Sequence, residues 1–285
     1  MEADSVIVRV TTRNARFQQW EALLGNRNKR QRNSEFLVQG VRPITMAVRF
    51  GWEVREFLVN ADVRLSAWAK ETLDSVRAAE VGVAWELMAE LGGKTEAAPE
   101  LLAVVGMPAD DLNRVPAGPG MLVVVFDRPS TPGNIGTLLR SADAFGASGV
   151  IVTGHAADVY DPKAVRASTG SLFSVPAVRV ASHRPVLDWV TGLRGMGVAV
   201  QVVGTDEKGD LDAAQYDFTQ PTLLLIGNET VGLSSGWREA CDHLVRIPMA
   251  ATAASSLNAA AAASVLLYES MRQKAAVEHV QTATS

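Results

Sequence analysis

The chain has 285 residues, 47% of them hydrophobic, a single cysteine and a formal net charge of −4 at pH 7. That length accommodates about two domains of roughly 150 residues, and Cys241 alone excludes a disulfide framework or zinc cluster, which points to a small buried side chain in a reducing cytoplasm. No apolar run approaches the roughly eighteen residues of a membrane span, and Met1–Val10 holds acids where a signal peptide holds bases, so neither secretion nor membrane insertion is expected.

The mean charge hides an uneven distribution. Residues 1–50 hold nine Lys/Arg and four Asp/Glu, and subtracting that +5 from the overall −4 leaves −9 for the rest. Phe17, Trp20, Leu23 and Leu24 recur at helical spacing, which predicts an amphipathic helix over Arg16–Leu24. A basic loop is expected next, where Arg27, Lys29, Arg30 and Arg32 interleave with Asn26, Asn28, Gln31 and Asn33. Its cations suit phosphates and its amides suit base edges or ribose hydroxyls, a mixture fitted to RNA; the bland alternative is a solvated loop. Phe36–Val38 reads as a strand, Val41–Phe50 as a helix stopped by Gly51, and Val54–Val59 as a second strand. A helix over Leu65–Val76 and a strand over Leu101–Val105 complete a small α/β domain at residues 1–107. Trp20, Trp52, Trp68 and Trp85 lie in apolar periodic contexts, so packing is expected of them in preference to base stacking.

Residues 108–120, rich in Pro, Gly and Asp, read as a linker to a second domain over 121–285. Met121–Phe126 is a nearly unbroken apolar run, as a central strand covered on both faces requires. Thr131 is placed to cap the next helix, with Pro132 at its first position, Gly146 at its end, and Ile135, Leu138, Leu139 and Ala142 on its buried face. Arg140, about 100° round from Leu139, is not needed for the core. Strands at Gly149–Thr153, Ala177–Val180 and Val198–Val203, with a helix at Pro162–Thr169, continue an alternation that predicts a largely parallel sheet and, from element order alone, an unknotted doubly wound domain. Thr222–Ile226 is a further buried strand, stopped by Gly227, and it sets Asn228 and Glu229 where open α/β sheets bind ligands. A short strand near Leu244–Ile247 ends at Pro248. Small residues then lead to Ser255, Ser256, Leu257 and Asn258 at the start of an alanine-rich helix, with either serine a candidate N-cap.

Three of these segments, PGNIGTLLRSADAFG (Pro132–Gly146), GNETVGLS, and IPM followed by SSLN, resemble in kind and order the three motifs of the SpoU family, the TrmH-like branch of the SPOUT RNA ribose 2'-O-methyltransferases. The family usually has a glycine soon after IPM, whereas Ala250, Ala251, Thr252, Ala253 and Ala254 here fill a loop one residue longer. TTRNARFQQW and FLVQGVRPI are similar to the family's substrate-binding domain. The resemblance implies an α/β protein in which a small L30e-like domain precedes a SPOUT domain with a C-terminal trefoil knot, working as a homodimer without metal. It also implies S-adenosyl-L-methionine as cofactor, bound by Thr205 in the loop Val203–Asp206, and by Gly227, Asn228, Ile247, Met249, Ser256 and Leu257. RNA would lie against Arg13, Asn14, Arg27, Lys29, Arg30 and Arg32. Likeness in NARFQQWEALLGNRNKR, DVYDPKAVRASTGSLFS and DFTQPTLLLIGNET points to a branch of the family that methylates a uridine of 23S rRNA and confers orthosomycin resistance of the avilamycin type, with tRNA as the alternative substrate.

Methyl transfer to a ribose 2'-hydroxyl is an in-line displacement in which a cationic donor becomes neutral and a weakly acidic alcohol loses its proton, so positioning supplies much of the acceleration. Asn134, Arg140, Glu229 and Asn258 are the polar motif residues available for catalysis. The family proposal makes the arginine a base. A guanidinium with a pKa above about 12 is better suited to clamp a phosphate and polarise the hydroxyl. Asn134 and Asn258 would orient ribose and cofactor, and Glu229 would shape the site; the structural alternatives are helix-start bonding for Asn258 and a helix N-terminal charge for Glu229. There is no GxGxxG after a strand and no P-loop, which removes support for a dinucleotide or nucleotide-hydrolase site. Two other functions stay open: a non-catalytic RNA-binding protein on the same fold, and a small-molecule O-methyltransferase, which would leave the basic domain without a task.

Overall fold

The structure, a computed structural model, describes residues 8–93, 97–250 and 256–283. Strand β1 (Val8–Val10) leads to helix α1 (Ala15–Gly25), which opens on the Asn14 side chain accepting from the N–H groups of Arg16 and Phe17. The basic segment expected as a loop is a helix, α2 (Arg27–Asn33). Asn26 caps it through the N–H of Lys29, and Ser34 ends it in the left-handed region at φ 51°. An asparagine that reads as a recognition amide is therefore a cap, and a seven-residue polar helix has no apolar period to reveal it. Next come β2 (Glu35–Gln39), α3 (Val41–Arg49), β3 (Val54–Asn60), α4 (Ala67–Ser75), β4 (Ala79–Val83), α5 (Trp85–Gly92) and β5 (Leu101–Gly106). In this half β1, α2, β4 and α5 are additions to the elements read from the sequence.

The C-terminal half runs β6 (Leu122–Asp127), α6 (Pro132–Ala144), β7 (Gly149–Thr153), α7 (Pro162–Ser168), α8 (Ser171–Ser174), β8 (Ala177–Val180) and α9 (His183–Gly195). It continues with β9 (Gln201–Thr205), β10 (Leu211–Asp212), β11 (Thr222–Ile226), α10 (Ser235–Ala240), β12 (His243–Arg246) and α11 (Ala259–Ala283).

The chain divides into two compact units, Met1–Pro108 with Tyr160–Ser174, and Ala109–Val159 with Val175–Ser285. In the first, a sheet of order β1-β4-β3-β5-β2 is parallel over β1, β4 and β3 and antiparallel where β5 pairs with β3 and β2. Phe17, Trp20 and Leu23 of α1 bury against Leu37, Leu58 and Leu102 of that sheet, which is why those apolar residues keep helical spacing. The first unit also holds α7 and α8, encoded far beyond residue 107. The Phe173 ring meets Trp52 edge-on at 5.0 Å, Trp52 Nε1 donates to the Phe173 carbonyl at 3.0 Å, and Arg42 Nε donates to the Thr169 carbonyl at 2.8 Å. Trp20, 3% exposed, donates its Nε1–H to Glu56, and Trp68 Nε1 donates to Thr45 Oγ1.

In the second unit all seven strands are parallel, in the order β10-β12-β9-β11-β6-β7-β8. The central pair runs in register from Thr222 beside Leu122 to Ile226 beside Phe126, and both strands are buried throughout. Covered faces on both sides explain their continuous apolar sequence. Because β11 enters between β9 and β6, the ends of β6, β9, β11 and β12 lie along one edge. Helix α11 packs on α6, with Ser141 Oγ and Ser264 Oγ 2.7 Å apart. Cys241 is half-buried, and burial pushes its thiol up to about 11, so it stays protonated and inert.

Candidate active site

Past the end of β6 the chain turns through Arg128, Pro129 and Ser130 into α6. Thr131 takes the N-cap position with Pro132 after it, but its side chain makes no capping bond; its carbonyl accepts from Asn134 and Ile135 instead. This start sets Asn134, half-buried, in the first turn of the helix, facing the loop that follows β11. Gly227 begins that loop because a Cβ there would lie 2.5 Å from the Gly232 carbonyl carbon and 2.6 Å from the Leu233 nitrogen. Asn228 and Gly232 exchange both backbone hydrogen bonds, at 3.1 and 3.0 Å. The Asn228 side chain holds the loop together, accepting from Thr230 and Val231 N–H and donating to the Arg128 carbonyl at 2.7 Å.

Glu229 reaches back from the loop to α6. Its carboxylate accepts from Asn134 Nδ2 at 2.8 Å and from the N–H and hydroxyl of Ser130 at 3.2 and 3.0 Å. Burial pushes the carboxyl up, but the donors from Asn134, from its own backbone and from Ser130 outweigh that and hold it below the ordinary value. It is ionised at neutral pH and its acceptor sites are occupied, so it anchors Asn134 and is a poor proton acceptor. Asn258 Nδ2 in turn donates to Asn134 Oδ1 at 3.3 Å, while Asn258 Oδ1 accepts from Ala260 N–H at 3.0 Å and Ala261 N–H at 3.3 Å. Asn258 therefore caps α11. The expected cap at Ser256 is corrected: that residue is two positions too early for a helix beginning at Ala259.

The structure thus brings Asn134, Glu229 and Asn258 into one chain of hydrogen bonds. Arg140 is outside it, exposed on α6 and without a hydrogen bond or ion pair among the described residues; six residues of helix set it about 9 Å along the axis from Asn134. Thr205 ends β9, its hydroxyl donating to the Leu225 carbonyl at 2.9 Å. Ile247 directly follows β12 and Met249 lies two residues on, while Ser256 and Leu257 directly precede Asn258. Among the described residues none of these four pairs its backbone with another backbone group. Met249 and Leu257 are 41% and 42% exposed. Sequence reasoning missed Ser130, whose donors help fix Glu229; a serine just before a helix start was its only signal.

In the first unit the predicted RNA contacts separate. Arg30 is corrected: it is 2% exposed, donates to the carbonyls of Leu23 and Leu24 at 2.7 and 3.2 Å, and lies 3.6 Å from Asp161. A guanidinium committed to backbone carbonyls inside a fold is a structural strut. Asn14 is likewise spent on capping α1, and Arg13 pairs with Glu90. Arg27 is half-buried at the start of α2. Lys29 and Arg32 stay on the surface, where with Gln18, Gln19 and Asn33 they line an open groove of about 550 Å³ along α1 and α2.

Residues 14–103 match the SpoU L30e-like domain, and residues 121–268 match the SpoU rRNA methylase family. The chain belongs to the SpoU rRNA methylase family. Among SpoU relatives, a 23S rRNA (uridine(2479)-2'-O)-methyltransferase of Streptomyces viridochromogenes is 62% identical over 93% of this chain and 92% of its own length. The SpoU methyltransferase AviRb of the same organism, in complex with AdoMet, superposes with a TM-score of 0.88 at 62% identity, covering 92% of this chain and 98% of that one. A 23S rRNA (guanosine(2553)-2'-O)-methyltransferase, RlmP, of Bacillus subtilis is 28% identical over 90% of this chain and 96% of its own. The trefoil knot is implied by the SpoU fold, and the entry of β11 between two earlier strands is compatible with it. Of the loop Ala250–Ala254 expected to differ from the family pattern, Ala251, Thr252, Ala253 and Ala254 lie outside the described residues, as does the candidate cap Ser255.

Proposed function

We propose that this protein transfers a methyl group from S-adenosyl-L-methionine to the ribose 2'-hydroxyl of a uridine in 23S rRNA. The observation that carries the reading is the bond chain from Asn258 through Asn134 to Glu229, by which residues of all three SpoU motifs meet at one edge of the parallel sheet. The substrate is that of the relative with 62% identity. Backbone groups at Ile247, Met249, Ser256 and Leu257 that have no backbone partner among the described residues, beside two exposed apolar side chains, fit a ligand with a purine edge and a flat aromatic face. With Thr205, Gly227 and Asn228 they are the cofactor cradle. When bound, the cofactor supplies an electrophilic methyl on a positively charged sulfur.

The chain's own residues act by positioning. Glu229 holds Asn134, and Asn134 with Asn258 sets the edge on which the ribose rests. Arg140, charged and without a partner among the described residues, takes the RNA phosphate and polarises the hydroxyl. Lys29 and Arg32, which line the groove of the first unit, hold the RNA backbone together with Arg27 at the start of α2. In this reading the enzyme acts in the cytoplasm, where ribosomal RNA is, and is a homodimer, because Val265, Tyr268 and Met271 form an apolar face on α11, at 44%, 51% and 37% exposure, that a second copy would cover. Orthosomycin resistance follows if the methylated uridine lies in the drug's site.

The test is primer extension at low deoxynucleotide concentration on 23S rRNA treated with protein and S-adenosyl-L-methionine. A new stop at one uridine is expected; no stop there, with methylation of tRNA instead, would overturn the substrate.

A further inference from the structure

At the C-terminal end of β6, two adjacent residues that no motif reading singled out are built into the base of the loop carrying Asn228 and Glu229. Asp127 is 3% exposed although it carries a carboxylate. Its Oδ1 accepts from Thr153 Oγ1 at 3.2 Å, and its Oδ2 accepts from the Ser234 N–H at 2.9 Å and from Arg128 Nε at 3.1 Å. Thr153 Oγ1 in turn accepts from the buried Trp237 Nε1 at 3.3 Å. One carboxylate thus ties together β7, the far end of the loop and α10.

Arg128 is in the left-handed region at φ 52°, which a side chain with a Cβ seldom adopts and which persists only where surroundings enforce it. The surroundings here are explicit. Its N–H donates to the Thr153 carbonyl at 3.0 Å, its carbonyl accepts from Asn228 Nδ2 at 2.7 Å, and its guanidinium donates to the Gly232 carbonyl at 3.1 Å. Gly154 leaves room for that side chain: a Cβ there would lie 2.7 Å from Arg128 Cγ. The left-handed turn aims the carbonyl at one end of the loop and the guanidinium at the other.

We propose that Arg128, held by Asp127, is a positioning residue that clamps both ends of the Asn228–Gly232 loop and so sets the place of Glu229 and, through it, Asn134. It touches neither substrate nor cofactor in this scheme. The inference rests on the reading of Gly227, Asn228 and Glu229 as working parts of the site.

The decisive variant is Arg128→Gly, because glycine adopts φ 52° without strain, so the side chain with its guanidinium is lost while the backbone turn is kept. Amide hydrogen exchange at Thr230, Val231 and Gly232 should quicken by about tenfold or more, while strands β6 and β11 keep wild-type protection. Affinity for S-adenosyl-L-methionine should fall by about tenfold, as loss of one charge-assisted hydrogen bond implies, and sub-denaturing guanidinium chloride should restore part of it. Arg128→Lys, which keeps the charge but replaces the two separate nitrogens that reach Asp127 and Gly232 by a single one, should fall between. If exchange in the loop matches wild type in Arg128→Gly, or if a loss of affinity is not relieved by guanidinium, the clamp is wrong. Should Arg128→Gly fail to fold, the isosteric Asp127→Asn is measured in the same way, and unchanged loop exchange there overturns the proposal. Wild-type protein that binds no S-adenosyl-L-methionine would defeat the functional reading instead, and the exchange measurement would still judge the clamp.

Discussion

Glu229 accepts from Ser130 and Asn134 while its carboxyl is held below the ordinary range, so the charge is part of the site's architecture. In Glu229→Gln an amide would face donors that need an acceptor, and turnover should fall by more than tenfold, given about 1.5–3 kcal/mol for hydrogen bonds to a charged group. Because the folded-state pKa is depressed, the stabilisation from ionised Glu229 is present above the ordinary carboxylate value and is lost as pH falls through the folded value. The difference in thermal midpoint between wild type and Glu229→Gln should therefore be full at neutral pH and shrink in acid, below about pH 4; a difference that stays constant from neutral to acid would show that charge plays no part. Arg140 gives a contrasting case at the same scale. Exposed and bonded to nothing among the described residues, it can be truncated without disturbing the fold. Arg140→Ala should lose turnover by about a hundredfold or more while calorimetric affinity for S-adenosyl-L-methionine is unchanged, since electrostatic stabilisers of reacting groups carry that much. Lost cofactor affinity with turnover intact at saturation would refute the assignment.

At the scale of elements, α2 holds side chains of one charge and two fates. Arg30 turns inward to the carbonyls of Leu23 and Leu24, whereas Lys29 and Arg32 line the groove along α1. Helical geometry separates them, since neighbours in sequence are about 100° apart around the axis. Arg30→Ala should destabilise the protein by about 3 kcal/mol in urea unfolding, because it leaves buried carbonyls without donors. The pair Lys29→Ala and Arg32→Ala should leave stability within about 0.5 kcal/mol and weaken RNA binding instead. The slope of log affinity against log salt should drop by roughly 1.5, as expected for two lost phosphate contacts. Equal effects of both sets on stability would contradict the division.

For the whole molecule, the return of Tyr160–Ser174 to the first unit is the feature that governs how the protein can be cut. Phe173 packs on Trp52 and stacks near Phe36 at 6.3 Å, and Arg30 has Asp161 beside it. A fragment of residues 1–108 would bare that aromatic surface. It should melt well below the full chain and bind a hydrophobic dye such as ANS, whereas a native-like, dye-free fragment would show the returning segment to be dispensable. The exposed face of α11 makes a second prediction. Tyr268, 51% exposed with its ring 6.0 Å from Phe145, lies within the proposed dimer face. Tyr268→Glu should shift sedimentation toward monomer and reduce turnover together; a wild-type chain that is monomeric and fully active would remove the dimer from the account.

The sequence by itself determined the central strands, the helices with an apolar period and the three SpoU motifs, because burial on both faces or along one stripe leaves a pattern that can be read residue by residue. Met121–Phe126 and Thr222–Ile226 could hardly be anything but inner strands. It also marked Asn134, Glu229 and Asn258, yet nothing in their spacing showed that one bond chain joins them across 95 and 124 residues. Tertiary structure alone decided what had no local signature: that Arg30 is a strut and Lys29 a surface cation, that Ser130 bonds to Glu229 and Asp127 to Ser234, and that Tyr160–Ser174 leaves its neighbours for the other unit. The reason is physical. Side-chain burial and partner choice depend on segments distant in the chain, whereas periodicity records only the environment that recurs along one element.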